Sequence, residues 1–309
     1  MNSHTTGYSL KLFRFFWLVS AFISPFLSAA PAVVGESAGK LLLVEPEWLI
    51  NHITINDLVI LDVRPAVTYN KKHIKNAINI PVAKTFRETK PADQIASIQS
   101  IQRLFGEAGI DSSKNVIIYG DGKYIDAARM FWVLEVHGHR RTALLNYGYP
   151  GWVRKKYAMS DDVHRLPAKK FYSEVQPSRL TTKFFVRLAI GDKNSIIIDA
   201  RDSDEYLGIK SSATRVGHIP SAINIPWNKN FIQIGGMLTL QDRASLEHIY
   251  RNVARDKLII TYCNRGKQSA LTYFVLRKLD RNVSQYDGSW VEWGNDYNLP
   301  IETTANTQM

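Results

Sequence analysis

The chain of 309 residues has a single cysteine, Cys263. An intrachain disulfide is therefore excluded, and stability has to come from a packed core. Metal binding fails on ligand count, with one thiol and no close histidine cluster, and no cofactor is expected. Dense runs of lysine and arginine are missing too, as is any interleaving of aromatic and basic residues of the RNA-binding kind. Nucleic acid is thus not an expected partner, although the formal net charge is +11. That charge reads as a dispersed solvated surface with local pockets that attract anions.

At 45% hydrophobic and 22% charged residues, the composition is that of a globular chain with room for about two domains. Residues 1–32 read as an export signal. Lys11 and Arg14 precede the apolar run Phe15–Leu27, and Ala30-Pro31-Ala32 supplies the small-x-small pattern, with cleavage after Ala32. Pro25 and Pro31 argue against a stable spanning helix there. The mature protein is therefore expected to be periplasmic or secreted, with no membrane span once the signal is removed.

The stretch Leu258 to Ala270 holds the cysteine. Leu258–Tyr262 is apolar and β-branched and reads as a buried strand. Lys267–Leu279 places Leu271, Phe274, Val275 and Leu279 on one helical face. Cys263 then sits in a tight turn from strand to helix, where backbone amides and the helix dipole favour a thiolate over a thiol. A lone cysteine is most often a small packing residue. Here Gly266 permits the positive φ of a loop wrapped around a sulfur. Arg265 and Lys267 flank it with positive charge, which is wrong for a core position.

Around this stretch the chain repeats itself. Asp62-Val-Arg64 answers Asp199-Ala-Arg201, and His73–Pro81 answers His218–Pro226. Tyr119 answers Tyr262, and Asn146–Trp152 answers Asp287–Trp293. The offset stays near roughly 140 residues, the signature of a tandem duplication. Strands at Leu41–Val44, Leu58–Leu61, Ala77–Ile80, Val116–Tyr119 and Thr142–Leu145 alternate with helices at 95–108 and 127–137, and Tyr69–His73 reads as a polar connector. In the second half, 196–198 and 258–262 read as strands and 246–253 as a helix. Each half is thus expected to be α/β, a mostly parallel sheet with helices on both faces. Residues 41–157 form the first domain, 158–179 a linker and 180–301 the second domain. Ligands of such sheets bind beyond the C-terminal strand ends, where Cys263 lies. Aligning the tyrosines puts Gly120 opposite Cys263, so the first half has no nucleophile. About eight extra residues, including Lys210 and Arg215, separate Asp199-Ala-Arg201 from His218 in the second half.

Asp199-Ala-Arg201, Gly217-His-Ile-Pro220, the Cys263 loop and Tyr286–Trp293 together resemble the tandem rhodanese family of sulfurtransferases, over about Leu41 to Pro300. The resemblance implies a non-catalytic first domain and a catalytic second one. It implies that Cys263 takes a sulfane sulfur from a small anionic donor, thiosulfate or 3-mercaptopyruvate, and passes it from a persulfide to cyanide or a thiol. It places Asn264, Arg265, Gly266, Lys267 and Gln268 around the donor, with Arg215 as a further donor-binding cation. Thiosulfate-using members carry Arg directly after Cys, and mercaptopyruvate-using members carry Gly. Asn264 is neither, and the cationic loop favours the dianion thiosulfate. Arg201 reads as a structural residue paired with an acid near the loop, and His218 as a hydrogen-bonded framework residue, since its counterpart His73 stands in the half without cysteine.

Two other readings compete. A cysteine phosphatase needs an Arg six positions after Cys, and Ser269 stands there. A periplasmic sulfur carrier or partner-binding module would use Cys263 only to hold a persulfide or to dock another protein, without turnover.

Overall fold

The computed structural model describes residues 1–2, 41–88 and 93–303. The export-signal reading, apart from its first two residues, lies outside them. The first half runs β1 (Leu43–Val44), α1 (Pro46–His52), β2 (Leu58–Asp62), α2 (Ala66–Lys71), β3 (His73–Ile74), β4 (Ala77–Asn79), α3 (Ile98–Glu107), β5 (Asn115–Tyr119), α4 (Ile125–Val136), β6 (Thr142–Leu145), α5 (Gly148–Arg154) and β7 (Met159–Ser160). The second half runs β8 (Leu180–Thr181), α6 (Lys183–Ala189), β9 (Ser195–Asp199), α7 (Ser203–Tyr206), β10 (Ile223–Asn224), β11 (Phe231–Ile234), β12 (Met237–Leu240), α8 (Arg243–Ile249), β13 (Leu258–Tyr262), α9 (Gln268–Lys278), β14 (Val283–Tyr286) and α10 (Ser289–Trp293).

Each half builds a five-stranded parallel sheet. The orders are β1-β6-β5-β2-β4 and β8-β14-β13-β9-β10, so the two topologies match strand for strand. Side chains alternate between sheet faces, and both faces are covered. On β5, Val116 and Ile118 join one apolar cluster while Ile117 and Tyr119 join another. On β13, Ile259 faces the first cluster and Ile260 and Tyr262 a third. The first cluster is continuous across both halves, because α4 and α9 pack on each other. Both helices are buried on nearly every side, as a helix between two sheets must be. Phe131 and Phe274 meet edge to face at 5.0 Å.

Several sequence expectations shift in detail. The segment Tyr69–His73 is no polar connector. It ends α2 and enters β3, with Tyr69 and His73 buried and stacked at 3.8 Å. The pattern hid this because the Tyr69 hydroxyl satisfies itself on the Ala77 carbonyl at 2.7 Å. The helix expected at 95–108 begins at Ile98, because the Ser97 side chain accepts from the Ser100 amide and caps it. That expected at 246–253 runs Arg243–Ile249, since Asp242 caps the Ser245 amide. Asn146–Trp152 carries a helix that the sequence reading did not assign. The hairpin β11–β12, turned by Gly235 and Gly236 at φ 55° and 81°, was also not foreseen.

At the end of α4, His137 and His139 are both buried. Burial lowers each imidazole from an ordinary 6.5 to about 4. The unfolded chain therefore binds more protons than the folded one between these values. The histidines' contribution is complete above about pH 6.5 and is lost as pH falls toward 4, by roughly 3 kcal/mol each. Urea unfolding at pH 7 and pH 4.5 is expected to show a marked drop in midpoint. A midpoint that stays level in wild type, and in a variant carrying Gln at both positions, contradicts this account.

Among the described residues no helix is long and apolar enough to cross a membrane.

Candidate active site

The frame of the site is the duplicated motif, reproduced bond for bond. Arg201 pairs with Asp199 at 2.6 Å, both fully buried, and donates to the Gly217 carbonyl. Arg64 pairs with Asp62 at 2.6 Å and donates to the Lys72 carbonyl. Asn224 holds the carbonyls of Asp199 and Arg201 as Asn79 holds those of Asp62 and Arg64. His218 lies on Tyr206 as His73 lies on Tyr69, each with Nδ1 at the tyrosine's own carbonyl. The Tyr262 and Tyr119 hydroxyls each receive the amide after the histidine. Arg201 and His218 are thus framework residues, which is what their counterparts in the half without cysteine imply. Burial, and then the Asp199 carboxylate beside it, hold the Tyr262 hydroxyl well above its ordinary pKa.

Cys263 follows β13 directly and is 1% exposed. Its amide donates to the Ser289 hydroxyl at 3.3 Å. Three loop carbonyls are tied to groups outside the loop. The Cys263 carbonyl takes the Trp290 amide at 2.9 Å, and the Asn264 carbonyl the Val291 amide at 3.0 Å. The Gly266 carbonyl takes Arg129 Nη1 at 3.2 Å and Gln285 Nε2 at 2.8 Å. In a planar trans peptide the C=O and the following N–H point opposite ways. The amides of Asn264, Arg265 and Lys267 are therefore turned away from these partners, and they carry no hydrogen bond among the described residues. Gly266 takes φ 77°, and a Cβ there would stand 2.9 Å from Arg129 Nη1 and 3.0 Å from the Asp287 carbonyl. Both the backbone and the space require glycine.

The candidate donor-binding side chains divide into groups. Arg265 is exposed and makes no ion pair among the described residues. Lys267 is paired at 2.7 Å with Asp126 of α4, from the other half. Asn264 serves as a fastener: its Nδ2 donates to Glu205 at 2.8 Å and its Oδ1 accepts from Ser212 at 2.6 Å. Gln268 opens α9, half-buried. Arg215 is not brought to the loop by any hydrogen bond. Its guanidinium is held by the carbonyls of Trp293, Gly294, Asp296 and Leu299. Four neutral acceptors occupy the arginine, so its place in the fold is a clamp on the C-terminal segment.

The sequence reading passed over Glu205, Ser212, Ser289, Asp126 and Arg129. The insertion before His218 was visible, and it supplies Ser212, while Glu205 stands just before it, next to Tyr206; Ser289 lay within the Asp287–Trp293 stretch that answers Asn146–Trp152. Nothing local in the sequence pointed to Asp126 or Arg129, whose partners in the second half lie more than 130 residues away.

The first half's corresponding loop is closed. Tyr124 adopts φ 64° and its hydroxyl lies on the Asn146 side chain and under the Tyr147 amide. The hairpin covers it further, with Thr239 on Asn146 at 3.1 Å and Phe231 5.5 Å from the Tyr124 ring.

Fold and loop together define a tandem α/β protein in which a recessed thiol, carried by the second half alone, lies at the start of a loop with unengaged amides. The comparisons narrow this further. The Rhodanese-like domain matches residues 45–155 and 185–296. The thiosulfate sulfurtransferase of Corynebacterium glutamicum is 30% identical over 86% of this chain and 92% of that one. The thiosulfate sulfurtransferase of Pseudomonas aeruginosa is 29% identical over 84% and 97%. The 3-mercaptopyruvate sulfurtransferase of Escherichia coli is also 29% identical over 84% and 97%. The crystal structure of the 3-mercaptopyruvate sulfotransferase SseA from Escherichia coli superposes with a TM-score of 0.73 at 28% identity, over 81% of this chain and 98% of that one. The chain belongs to the rhodanese family, and it is a sulfurtransferase.

Proposed function

We propose that the enzyme moves the sulfane sulfur of thiosulfate to a thiophilic acceptor through a Cys263 persulfide. The observation that carries this is the loop itself, with amides turned from every outside partner and the exposed cation Arg265 at its rim. In the first step the Cys263 thiolate attacks the outer sulfur of thiosulfate. The S–S bond of the donor breaks, sulfite leaves with the electron pair, and Cys–S–S⁻ remains. In the second step cyanide or a thiolate attacks the terminal sulfur. The persulfide S–S bond breaks, and thiocyanate or a new persulfide leaves as the Cys263 thiolate is restored. The two steps balance without an outside oxidant or reductant. The unengaged amides suit the negative charge that sits on sulfur in both states. A thiol only 1% exposed favours a donor with a narrow sulfane tip.

Thiosulfate carries two negative charges and 3-mercaptopyruvate one carboxylate, so an exposed cation separates them. Arg265→Ala is expected to raise KM for thiosulfate roughly fivefold, with a smaller rise for 3-mercaptopyruvate, as fits one solvent-screened charge. The wild-type preference for thiosulfate should weaken as salt is added. Equal changes for both donors, or higher kcat/KM with 3-mercaptopyruvate in the wild type, would assign the donor the other way.

A further inference from the structure

We propose that Arg129, from the half without a cysteine, is a positioning residue for the Cys263 loop: it locks the Gly266–Lys267 peptide so that the carbonyl faces out and the Lys267 amide faces the donor. This rests on the sulfurtransferase reading of Cys263.

Arg129 is fully buried on α4. Its Nη1 reaches the Gly266 carbonyl at 3.2 Å and Asp287 Oδ1 at 2.6 Å, and its Nη2 reaches the Asp93 carbonyl at 2.8 Å. The guanidinium lies 4.3 Å over Trp132 and 5.5 Å from Phe86, so its plane is fixed. Asp287 accepts the Ile95 amide with its other oxygen at 2.8 Å, which completes the strut. Of the three tied loop carbonyls, only that of Gly266 is held from the other half. The Cys263 and Asn264 carbonyls are held by backbone amides of α10, within the catalytic half.

Gly266 is also where the loop is softest. A glycine crosses between backbone wells that other residues avoid, so the peptide after it can turn over at little steric cost. Turned over, its carbonyl oxygen would face the side where the negative sulfur is to be held, and one donor would be replaced by an acceptor. Gln285 also holds this carbonyl, at 2.8 Å, but as a neutral donor. Arg129 adds a charged donor at 3.2 Å, on the same Nη1 that Asp287 fixes, so the carbonyl is held from both halves. Removal of Arg129 should weaken the lock without abolishing it.

The test uses the full chain with Arg129→Met, Arg129→Lys and Glu135→Gln. Glu135 joins the halves further along α4, accepting from Tyr273 and Arg277, and touches no loop residue. Two quantities are read: kcat/KM for thiosulfate, and the ratio of Cys263 alkylation rates by iodoacetate and iodoacetamide. The ratio reports how well the loop receives an anion, independently of turnover. Arg129→Met should lower kcat/KM about tenfold and the ratio about fivefold, and Arg129→Lys should recover part of both. Glu135→Gln should lower the unfolding midpoint and leave both readings at the wild-type value. A wild-type ratio in Arg129→Met overturns the proposal, as does an equal fall in Glu135→Gln. If Arg129→Met does not fold, Arg129→Lys decides: a lowered ratio supports the lock and an unchanged one removes it. A chain inert toward every sulfur donor, yet with the expected pattern of ratios, would refute sulfur transfer and leave the positioning role standing.

Discussion

Replacing Cys263 with serine is expected to abolish sulfur transfer: thiocyanate formation from cyanide should fall on the order of a thousandfold or more with thiosulfate and with 3-mercaptopyruvate alike. Serine preserves the shape of the position and the backbone hydrogen bonds of Cys263 to Ser289 and Trp290, so the fold remains. What disappears is the only thiol of the chain. An alcohol is protonated at neutral pH and does not give up a bound sulfur to an acceptor, so no second group can take over. Mass spectrometry after donor treatment should show a gain of one sulfur in wild type and none in the variant. Retained turnover in Cys263→Ser would make the residue a packing cysteine, a role with which its burial alone also agrees. A sulfur adduct in wild type without turnover to any acceptor would make the protein a carrier. The loop geometry supports the reading of Cys263 as a reactive residue. A cysteine chosen only for packing does not call for a left-handed glycine three residues on and three outward-tied carbonyls.

The second large effect is on stability. Asp199→Ala leaves the Arg201 guanidinium inside the protein, 4.4 Å over the Trp290 ring, without its carboxylate. Breaking one side of a buried ion pair costs about 3–5 kcal/mol, because the remaining charge stays desolvated and unpaired. The Tyr262 hydroxyl also loses the oxygen it donates to at 2.5 Å. The loss should appear as a large fall in the urea midpoint. Asp62→Ala should act similarly in the first half, where Arg64 is 5% exposed and lies 3.8 Å over Tyr149. Because one apolar cluster runs through both halves, each variant should shift a single transition. A midpoint within error of wild type for Asp199→Ala would refute this account of the frame. Two separated transitions would refute the shared core.

Much of the fold was legible because duplication supplied an internal control. His73 stands where no nucleophile exists, so its counterpart His218 could be read as framework. The hydrogen bonds of the two copies agree in kind and in length. The strands were legible because sheets covered on both faces need unbroken apolar runs. The helix ends were displaced by Ser97 and Asp242, whose caps act through a side chain that a periodicity count does not weigh.

The charged residues of the site were another matter. Arg265, Lys267 and Arg215 are equivalent in a sequence, each a cation near a candidate loop. Folding gives Lys267 to Asp126 and Arg215 to four carbonyls, and leaves Arg265 at the surface. The filling of the first loop by Tyr124 had no local signal, because any aromatic residue before a helix looks the same.

By itself, then, the sequence determined the tandem α/β architecture and the placing of the single thiol in the second half. Those follow from hydrophobic period, motif order and residue counts, which are properties of neighbours along the chain. Only the tertiary structure decided which cations near the loop stay unpaired among the described residues, what closes the first loop, and that an arginine of the first half bonds to the Cys263 loop. Each of these depends on a partner chosen across the chain, and a charge or a hydroxyl carries no mark of its partner until the sheets have packed.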